Sequence, residues 1–461
     1  MSSHVPAVIV GAGISGLVCA YALRKAGIEA CLLEASPRAG GIIHSERREG
    51  YLLELGPQSF SGTEALHSLC SELSLESELL EAPPRAPRYV LIGGELRPVP
   101  LSPQAFFGSS LIGAGTKATI ARDMFSKSRP PEQDESVADF VRRKFSAELL
   151  DRLVGPFISG IYAGDPERLS LRSAFPHLHE AEKSAGSVIR GMMRQAKAGK
   201  KSRQRPTLQS LREGNEMLVQ ALSAKLGTAL RLDTDVTRVG AKREGTTRGF
   251  ELRIRGPVQE ETISADCLIL ATPTDVAGRL LADVNSAFGS VLSAIQYAPV
   301  AIVSLGYLRS DVGHPLDGFG FLVPRSEKLR ILGSVWNSSL FPGRAPEGQV
   351  LLTSFVGGAT DSEATTLSPD NLAGLVHGEL APILAIGKPP TFSNVQIYPR
   401  ALPQYNLGHS ERLAQVEGLR LDAQNLWFVG NYLRGPSIGA CVEQSLAVAQ
   451  EVISCLAGET G

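Results

Sequence analysis

The chain lacks the features that mark secreted, membrane-spanning or nucleic-acid-binding proteins. Its six cysteines in 461 residues are widely scattered and include no CxxC pair, a spacing that disfavours a zinc site and indicates a reducing compartment. No run of about 18 apolar residues occurs, so we do not expect a membrane-spanning helix. Lysine and arginine (46) balance aspartate and glutamate (47), and nucleic acid is therefore not an expected partner.

The amino terminus has no basic segment followed by a small-residue cleavage site, and its apolar run ends in glycines after a few residues. This pattern predicts a buried strand and not a signal peptide, so the expected location is cytoplasmic. The length predicts two or three domains at roughly 150 residues each. Hydrophobic residues (43%) and charged residues (20%) stand in the proportion of an ordinary globular protein.

The amino-terminal segment carries the pattern of a dinucleotide-binding unit. An apolar strand (8–10) leads into a glycine-rich turn, and a helical pattern (17–27), a second strand (28–33) and an acidic residue follow. The turn and the acid supply, as predicted cofactor contacts, Gly11, Ala12, Gly13, Ser15, Gly16 and Glu34. The glycines allow a tight turn and bring a pyrophosphate close to the helix amino terminus. The carboxylate suits a ribose hydroxyl and disfavours a 2′-phosphate.

Two further segments favour FAD over NAD. An arginine and a glycine pair just after the acid suit a second clamp on phosphate and ribityl groups, because a side chain there would block the approach. An ordinary polar loop is the alternative. The predicted contacts are Ala35, Arg38, Gly40, Gly41 and Ile42 in the first segment and Gly56, Pro57, Gln58 and Ser59 in the second. This combination resembles the flavin amine oxidase superfamily, whose ExxxRxGG and GP motifs hold FAD.

The middle and the end of the chain agree with this resemblance. Residues 232–239 resemble the superfamily strand that meets the adenine, and residues 267–273 resemble its turn near the pyrophosphate. Near the carboxyl terminus, glycines before a helix suit the pyrimidine or ribityl oxygens of a flavin. The resemblance assigns to FAD, in these segments, Val236, Ala271, Gly430, Asn431, Pro436, Ser437 and Ile438. Cys441 matches either a covalent attachment point for flavin or a small buried residue.

Because the FAD segments come from both ends and the middle of the chain, we expect an α/β fold with a discontinuous Rossmann-type FAD-binding domain. The remaining regions are expected to form a β-rich substrate-binding domain and an inserted α-helical, membrane-associated domain, in which Ser136 caps one helix. The predicted ranges are 1–85, 206–297 and 399–461 for the FAD-binding domain, 86–100 and 298–398 for the substrate-binding domain, and 101–205 for the insertion.

Five segments outside the FAD motifs narrow the resemblance. They are 160–166 (GIYAGDP), 318–324 (GFGFLVP), 341–345 (FPGRA), 355–358 (FVGG) and 403–409 (PQYNLGH). Together they resemble the oxygen-dependent protoporphyrinogen oxidase family nearly end to end, although Pro436 and the pair Gly439-Ala440 depart from the usual family sequence. The resemblance implies an enzyme of haem biosynthesis that takes a porphyrinogen and molecular oxygen as substrates.

A porphyrinogen is a large, mostly apolar macrocycle with propionates on one edge, so apolar walls and a few charged anchors are expected. Carried over from the family, Arg88 pairs with a propionate, and Gly160 brings its backbone close to the substrate. Leu322, Val335 and Phe355 match positions in the pocket wall. The alternative is a surface charge at Arg88 and ordinary core packing for the three apolar residues.

We find no candidate nucleophile and no acid–base constellation in the sequence, and the catalytic group that the resemblance implies is the flavin N5. This atom takes a hydride from a meso carbon of the porphyrinogen, and oxygen reoxidises the flavin to give hydrogen peroxide, so three cycles remove six electrons. His177 and His179 form one i,i+2 pair, which is too few ligands for a metal site, and no metal is expected.

Residues 183–205 carry eight basic residues and no acidic residue, with apolar residues at helical spacing on one face. The apolar residues are Val188, Ile189, Met192 and Met193. This pattern, with apolar bulk at 106–113, is typical of segments that bind anionic lipid surfaces, and a solvated basic face is the alternative. We expect peripheral attachment to the cytoplasmic face of a membrane. A homodimer and contact with the next haem-pathway enzyme are left open as further partners.

Three other functions stay open at this point. The same fold acting on coproporphyrinogen, which has four propionates, would need more basic residues around the pocket. An amine or carotenoid oxidoreductase is a more distant alternative, and an aromatic sandwich with a covalent flavin would favour an amine oxidase. A non-enzymatic, flavin-holding membrane adaptor would keep FAD without ever reducing it.

Overall fold

The computed structural model describes residues 3–198, 207–244 and 247–458. Its strands are β1 (Ser3–Val10), β2 (Ala30–Leu33), β3 (Ser45–Arg48), β4 (Tyr51–Glu54), β5 (Phe60–Ser61), β6 (Leu79–Glu81), β7 (Arg88–Ile92), β8 (Glu95–Pro98), β9 (Leu208–Leu211), β10 (Leu230–Arg231), β11 (Asp235–Glu244), β12 (Thr247–Arg255), β13 (Glu260–Leu270), β14 (Tyr297–Leu308), β15 (Gly320–Leu322), β16 (Ile331–Trp336), β17 (Gln349–Gly357), β18 (Phe392–Pro403) and β19 (Leu426–Phe428).

Its helices are α1 (Ile14–Lys25), α2 (Glu64–Glu72), α3 (Pro103–Gly108), α4 (Ala114–Asp123), α5 (Val137–Lys144), α6 (Ala147–Leu149), α7 (Gly155–Tyr162), α8 (Leu171–Ala174), α9 (Pro176–Ala185), α10 (Val188–Ala198), α11 (Glu216–Leu226), α12 (Thr274–Leu280), α13 (Ala287–Ser293), α14 (Asn337–Leu340), α15 (Pro369–Leu384), α16 (His409–Ala423) and α17 (Ile438–Leu456). A π-helical turn (Leu150–Val154) joins α6 to α7, and 3-10 turns lie at Glu76–Glu78, Gly227–Ala229, Arg309–Asp311, Arg325–Glu327 and Ser362–Thr366.

The first sheet has the strand order β10-β2-β1-β13-β12-β11, with β19 beside the carboxyl half of β13. β1 pairs in parallel with β2 and β13, so Val10, Leu33 and Leu270 lie side by side where these strands end. Helices α1, α2, α11 and α17 cover one face of the sheet, and α12, α13 and α16 cover the other. Because both faces are buried, its central strands are continuously apolar, as in a Rossmann-type domain.

The second sheet has the order β18-β14-β17-β16-β15-β7-β8, antiparallel except where β15 runs parallel to β7. Helix α15 packs on one face of this sheet, over a core that contains Phe321, Trp336 and Leu352. The strands come from two distant stretches of the chain, of which the shorter supplies only β7 and β8. The opposite face of the sheet is turned towards helix α7 and Ala163, which follows it.

Helices α3 to α10 form a third region, and the structure describes no strand among residues 101–198. They pack around a separate apolar core that includes Phe140, Ile158 and Tyr162. The predicted cap of α5 is confirmed, since the Ser136 hydroxyl oxygen accepts a hydrogen bond from the Asp139 N–H at 3.0 Å. Within the described residues, no helix is long and apolar enough to cross a membrane.

The structure differs from the sequence predictions at two places, and a third prediction falls outside the described residues. The predicted boundary at residue 398 falls inside β18, because that strand continues to Pro403 in order to pair with Tyr297. The predicted apolar face of α10 is divided, since Val188 is buried in the helical core whereas Met192 and Met193 are exposed. Lys200, Lys201, Arg203 and Arg205, which belong to the predicted basic segment, lie outside the described residues.

A buried ion pair joins the segment that enters β17 of the second sheet to the hairpin of β3 and β4. Arg344, in the segment between α14 and β17, lies 3.2 Å from the carboxylate of Glu54 at the end of β4, and both side chains are at most 2% exposed. Arg344 also donates to the Ser210 hydroxyl and to the Leu211 carbonyl, while the backbone N–H of Asn215 donates to Glu54. Burial raises the pKa of Glu54 to about 7, although Arg344 and its other donors pull that pKa downward.

We predict that Arg344→Met destabilises the protein more at pH 8 than at pH 5.5. The substitution leaves a buried carboxylate without its counter-ion, a change that typically costs about 3–5 kcal/mol. Without Arg344 the folded-state pKa of Glu54 rises further above its unfolded value, so the stability from its bound proton is present at low pH and lost as pH rises. Urea denaturation at the two pH values measures the difference.

The matched control is Arg47→Met, which breaks an exposed pair with Glu213. Such surface pairs contribute at most about 1 kcal/mol, so this variant should remain close to the parent protein at both pH values. An equal loss for Arg344→Met at pH 5.5 and pH 8 would contradict the role of Glu54.

Candidate functional site

The glycine turn after β1 lies at the amino terminus of α1, as the sequence predicts. A Cβ on Gly16 would lie 1.9 Å from the Gly11 carbonyl oxygen, and one on Gly11 would lie 2.8 Å from the Ala271 carbonyl oxygen. At Gly13 a Cβ would meet nothing within 4 Å, so the space above this residue is open. No side chain in the described part of the chain caps α1, and the N–H groups of Ser15 and Gly16 therefore face that space without protein partners.

Glu34 stands at the end of β2, where it was predicted to face a ribose. One carboxylate oxygen accepts from the Ala12 N–H at 2.7 Å, and the other accepts from the Ser36 N–H and hydroxyl. Ala35 is exposed beside it. Glu34 thus also fixes the glycine turn relative to the loop that follows β2, a bracing role that its position in the sequence did not reveal.

Arg38 stabilises the second predicted segment through hydrogen bonds to the backbone of that segment. Its guanidinium donates to the carbonyl oxygens of Ala39, Gly41 and Ile43. This places Gly40 beside the first turn, where its N–H donates to the Ala12 carbonyl at 2.7 Å. A Cβ on Gly41 would have the Gly13 Cα as its neighbour at 3.5 Å, so the two predicted glycine segments line one groove.

The third segment, 56–59, joins the same groove. A Cβ on Gly56 would lie 1.9 Å from the Ile42 carbonyl oxygen, so only glycine permits this approach. Gln58 points into protein: its amide donates to the Glu54 and Gly56 carbonyls and accepts from Asn337. The Pro57 carbonyl accepts from the Asn215 side chain, and Ser59 is half-buried nearby. The side chain of Gln58 therefore stabilises the conformation of the loop through hydrogen bonds on its protein side.

The carboxyl-terminal segment closes the groove. Gly430 has a φ of +152°, and a Cβ there would lie 2.9 Å from the Tyr432 ring. Asn431 and Pro436 are half-buried, and the exposed Ser437 caps α17 by accepting from the Ala440 N–H. A Cβ on Gly439 would lie 2.7 Å from Thr63, so the start of α17 adjoins the segment that follows Ser59.

Three predicted cofactor residues have apolar side chains directed into the protein. Val236 is 4% exposed in the core of the first sheet, and Ile438 is 6% exposed between α17 and α1. Ala271 follows β13, and its backbone contacts Val10. The segment before Val236 runs beside Glu34, because the Thr234 N–H donates to the Glu34 carbonyl. Because their side chains are buried, Val236 and Ile438 could contact a ligand only through their backbone atoms.

The predicted substrate residues share one face of the second sheet. Arg88 pairs with Gly320, which pairs with Val335, and Leu322 pairs with Gly333, which pairs with Phe355. Because residues paired across strands, and residues two apart along a strand, point to the same side, these four side chains lie on the face opposite α15. We call this surface the open face.

Helix α7 approaches the open face at Gly160. A Cβ on Gly160 would lie 2.6 Å from Leu322 Cδ2, so a larger residue would push the wall residue aside. Arg88 is exposed at the start of β7, with its guanidinium carbon 5.6 Å from the centre of the Phe319 ring. Within the described residues it has no carboxylate partner, which leaves the charge available to an anionic ligand.

Tyr398 also lies on the open face by its register, although no sequence pattern indicates it. Tyr398 pairs with Val300, two residues before Ile302, which itself pairs with Phe355. Burial raises the pKa of Tyr398, and the phenol stays neutral. The alternation of β18 alone could not reveal this position, because the face of a strand depends on its pairing.

The geometry supports neither a covalent flavin at Cys441 nor a metal site at His177 and His179. Cys441 is 4% exposed, and burial raises the pKa of its thiol to about 11, which agrees with a small buried residue. Among the described residues no group of three or more His, Cys, Asp or Glu side chains is arranged to hold a metal ion, and His177 and His179 belong to no such group.

The groove fits a dinucleotide cofactor. It combines two helix starts with unpartnered N–H groups, open space above Gly13, and glycines wherever two backbones approach each other. The segments predicted for FAD come from both ends and the middle of the chain, and the contacts described above bring them together around the glycine turn and α1.

Comparison with known proteins agrees with this geometry. The family model for flavin containing amine oxidoreductases matches residues 14–453. The chloroplastic protoporphyrinogen oxidase of Nicotiana tabacum is 34% identical, over 99% of this chain and 86% of that protein. The coproporphyrinogen III oxidase of Bacillus subtilis is 29% identical, over 97% of this chain and 98% of that protein.

Among solved structures, one from Exiguobacterium sp. 255-15 superimposes with a TM-score of 0.81 at 25% identity, over 98% of this chain and 99% of that chain. The predicted family and cofactor are thereby confirmed, together with the mixed α/β architecture. The chain belongs to the flavin-containing amine oxidoreductase family, in its protoporphyrinogen oxidase branch, and FAD is its cofactor.

Proposed function

We propose that this protein oxidises protoporphyrinogen IX to protoporphyrin IX, with molecular oxygen as the electron acceptor and hydrogen peroxide as its product. The observation that carries the proposal is the open face, on which an apolar wall ends at Arg88, an arginine with no carboxylate partner in the described part of the chain. A macrocycle with propionates on one edge matches this distribution of apolar surface and charge. The similarity to protoporphyrinogen oxidases supports it further.

The chain's own residues bind and orient the substrate. Leu322, Val335 and Phe355 offer apolar surface to the ring, and the approach of α7 at Gly160 narrows the space beside them. Arg88 fixes the propionate edge and thereby sets which meso carbon points towards the groove. Bound FAD supplies the two-electron acceptor. The aliphatic and aromatic wall keeps water from the reacting carbon.

We also propose the division into FAD-binding, substrate-binding and inserted helical domains, with the last boundary moved from residue 398 to the end of β18 at Pro403. The FAD contacts predicted from the sequence form part of this proposal. Its support is that the first sheet, the second sheet and helices α3 to α10 each have an apolar core of their own.

Coproporphyrinogen is the second candidate substrate, because the Bacillus subtilis relative is a coproporphyrinogen III oxidase. One feature of the structure favours coproporphyrinogen. Arg97 pairs with Val90 across β7 and β8, so its side chain lies on the open face as a second basic group. However, Arg97 forms an ion pair with Glu95 at 2.6 Å. Four propionates would need more free cations than a single propionate edge does. Arg88, with no carboxylate partner among the described residues, and the paired Arg97 therefore fit protoporphyrinogen better than coproporphyrinogen.

Anaerobic mixing of the purified yellow protein with each porphyrinogen separates the two candidates. We predict faster flavin bleaching with protoporphyrinogen IX than with coproporphyrinogen III, followed by porphyrin fluorescence and peroxide once air is admitted. Faster bleaching by coproporphyrinogen would transfer the enzyme to the four-propionate substrate. No bleaching with either would overturn the proposed activity and leave the fold and cofactor intact.

The anchoring role of Arg88 predicts that Arg88→Met lowers kcat/KM for the porphyrinogen by about 10- to 100-fold, mostly through KM. The expected size follows from the loss of one charge-assisted hydrogen bond, which typically contributes about 1.5–3 kcal/mol. Steady-state porphyrin fluorescence measures the effect. Arg255→Met is the control, because Arg255 is an exposed strand-end arginine on the first sheet, paired with Glu260. Equal kinetics for the two variants would remove Arg88 from the substrate site.

We propose that the inserted helices attach the protein peripherally to the cytoplasmic face of a membrane. The support is a set of exposed apolar side chains in this region, together with exposed basic residues on α10 such as Arg194 and Lys197. The exposed apolar residues are Phe107, Met124, Phe125, Phe157, Ile161, Met192 and Met193. Arg190 donates to the Ser126 carbonyl, which holds Phe125 beside the first turn of α10. Exposed apolar groups next to basic groups suit an anionic lipid surface.

Replacement of Phe125, which is 81% exposed, by serine should reduce the fraction of protein that sediments with anionic liposomes by at least about twofold. Val258→Ser is the matched control, since Val258 is 91% exposed at the turn between β12 and β13. Neutral liposomes should bind less than anionic ones. Identical sedimentation of parent, Phe125→Ser and Val258→Ser proteins would argue against this surface.

A further inference from the structure

We infer that Tyr405 and His409 form a clamp that positions the backbone turn 431–435 for the flavin. Both residues lie in the segment 403–409, whose similarity to the family was noted from sequence without any role attached. The inference rests on the proposed position of the flavin at this turn. It does not depend on which substrate the flavin oxidises.

The Tyr405 hydroxyl holds both sides of the turn at once. It donates to the Asn431 carbonyl at 2.5 Å and accepts from the Gly435 N–H at 2.7 Å. The side chain is 1% exposed, so neither backbone group can exchange this partner for water without a rearrangement. One phenol therefore fixes the distance between the two ends of a five-residue turn.

His409 adds a third contact and holds Tyr405 in place. Its ring stacks on that of Tyr405 with centroids 4.4 Å apart and planes inclined by 9°. Nε2 lies 2.9 Å from the Tyr432 carbonyl oxygen, and because that oxygen can only accept, Nε2 carries the proton. His409 is 1% exposed, and burial lowers its pKa to about 4, so the ring stays neutral near pH 7.

The turn needs such a clamp because glycines stand at both of its ends. Gly430 and Gly435 have φ values of +152° and +132°, and glycine restrains its own backbone least of all residues. Directly after the turn, α17 begins with the N–H groups of Ile438 and Gly439, which have no protein partner among the described residues. The direction in which these donors point follows from the shape of the turn.

The clamp also links the turn to the inserted helices. The Tyr405 carbonyl accepts from the Ser170 N–H at 2.8 Å, and the ring centroids of Tyr405 and Tyr162 of α7 are 5.7 Å apart. α7 is the helix that approaches the open face at Gly160. Tyr405 is therefore a positioning residue that contacts the cofactor turn directly and reaches the substrate wall only through Tyr162 of α7.

The test compares Tyr405→Phe with Tyr307→Phe in the FAD-loaded protein. Tyr307 is a matched control, because it is equally buried and its hydroxyl also contacts a histidine, His377 at 3.1 Å, beneath α15 on the far side of the second sheet. Both variants lose one buried hydroxyl. The readout is the rate at which FAD leaves the protein on dilution, followed by the return of free-flavin fluorescence, together with the flavin midpoint potential.

We expect Tyr405→Phe to release FAD about 10- to 100-fold faster than the parent, because two buried backbone groups lose their partner. The midpoint potential should fall, since the donors near the pyrimidine oxygens are less well aligned with the reduced flavin. Tyr307→Phe should release FAD within about threefold of the parent rate even if its melting temperature falls. His409→Phe, which keeps the stack and loses the donor, should release FAD faster than Tyr307→Phe does.

Release of FAD from both Tyr405→Phe and His409→Phe at the Tyr307→Phe rate, with an unchanged potential, would overturn the clamp. If Tyr405→Phe does not fold, His409→Phe decides by itself. A parent protein that no porphyrinogen reduces would contradict the proposed activity while the FAD release rates still report on the clamp.

Discussion

The ion pair between Arg344 and Glu54 is the constraint that holds the segment entering β17 of the second sheet against β4 and β9. A buried charge is tolerated only when it is paired and hydrogen-bonded, and here the partners come from three distant parts of the chain. Glu54 stands at the end of β4, two residues before Gly56 in the cofactor groove. The pair therefore fixes the second sheet against the same loop that lines the groove.

Local sequence was sufficient for those parts of the fold that short segments encode. The glycine turn, α1 and Glu34 follow one another within the first 34 residues, and their spacing reflects the geometry of a single strand–turn–helix unit. Glu54 and Arg344 are 290 residues apart, and no local pattern indicates that they meet. The same limit applies to Tyr398, whose face depends on the register between β18 and β14.

The inserted helices show a second reason why sequence and structure differ. The spacing of Val188 and Met192 is that of one helical face, and this much was predictable. Packing against the rest of the insertion then buries Val188 and leaves Met192 exposed. An amphipathic pattern predicts which side of a helix is apolar. How much of that apolar surface stays exposed depends on the packing of the neighbouring helices.

The pairing of β13 has a consequence for synthesis of the chain. Its amino half pairs antiparallel with β12, whereas its carboxyl half pairs on that side with β19, and α17 packs against α1. The first sheet is thus incomplete until β19 has left the ribosome. Contacts of such high sequence separation form slowly because loop closure must come first. The groove can therefore take up its cofactor only after β19 and the start of α17 have left the ribosome, and a chain truncated before β19 would expose an unpaired strand edge.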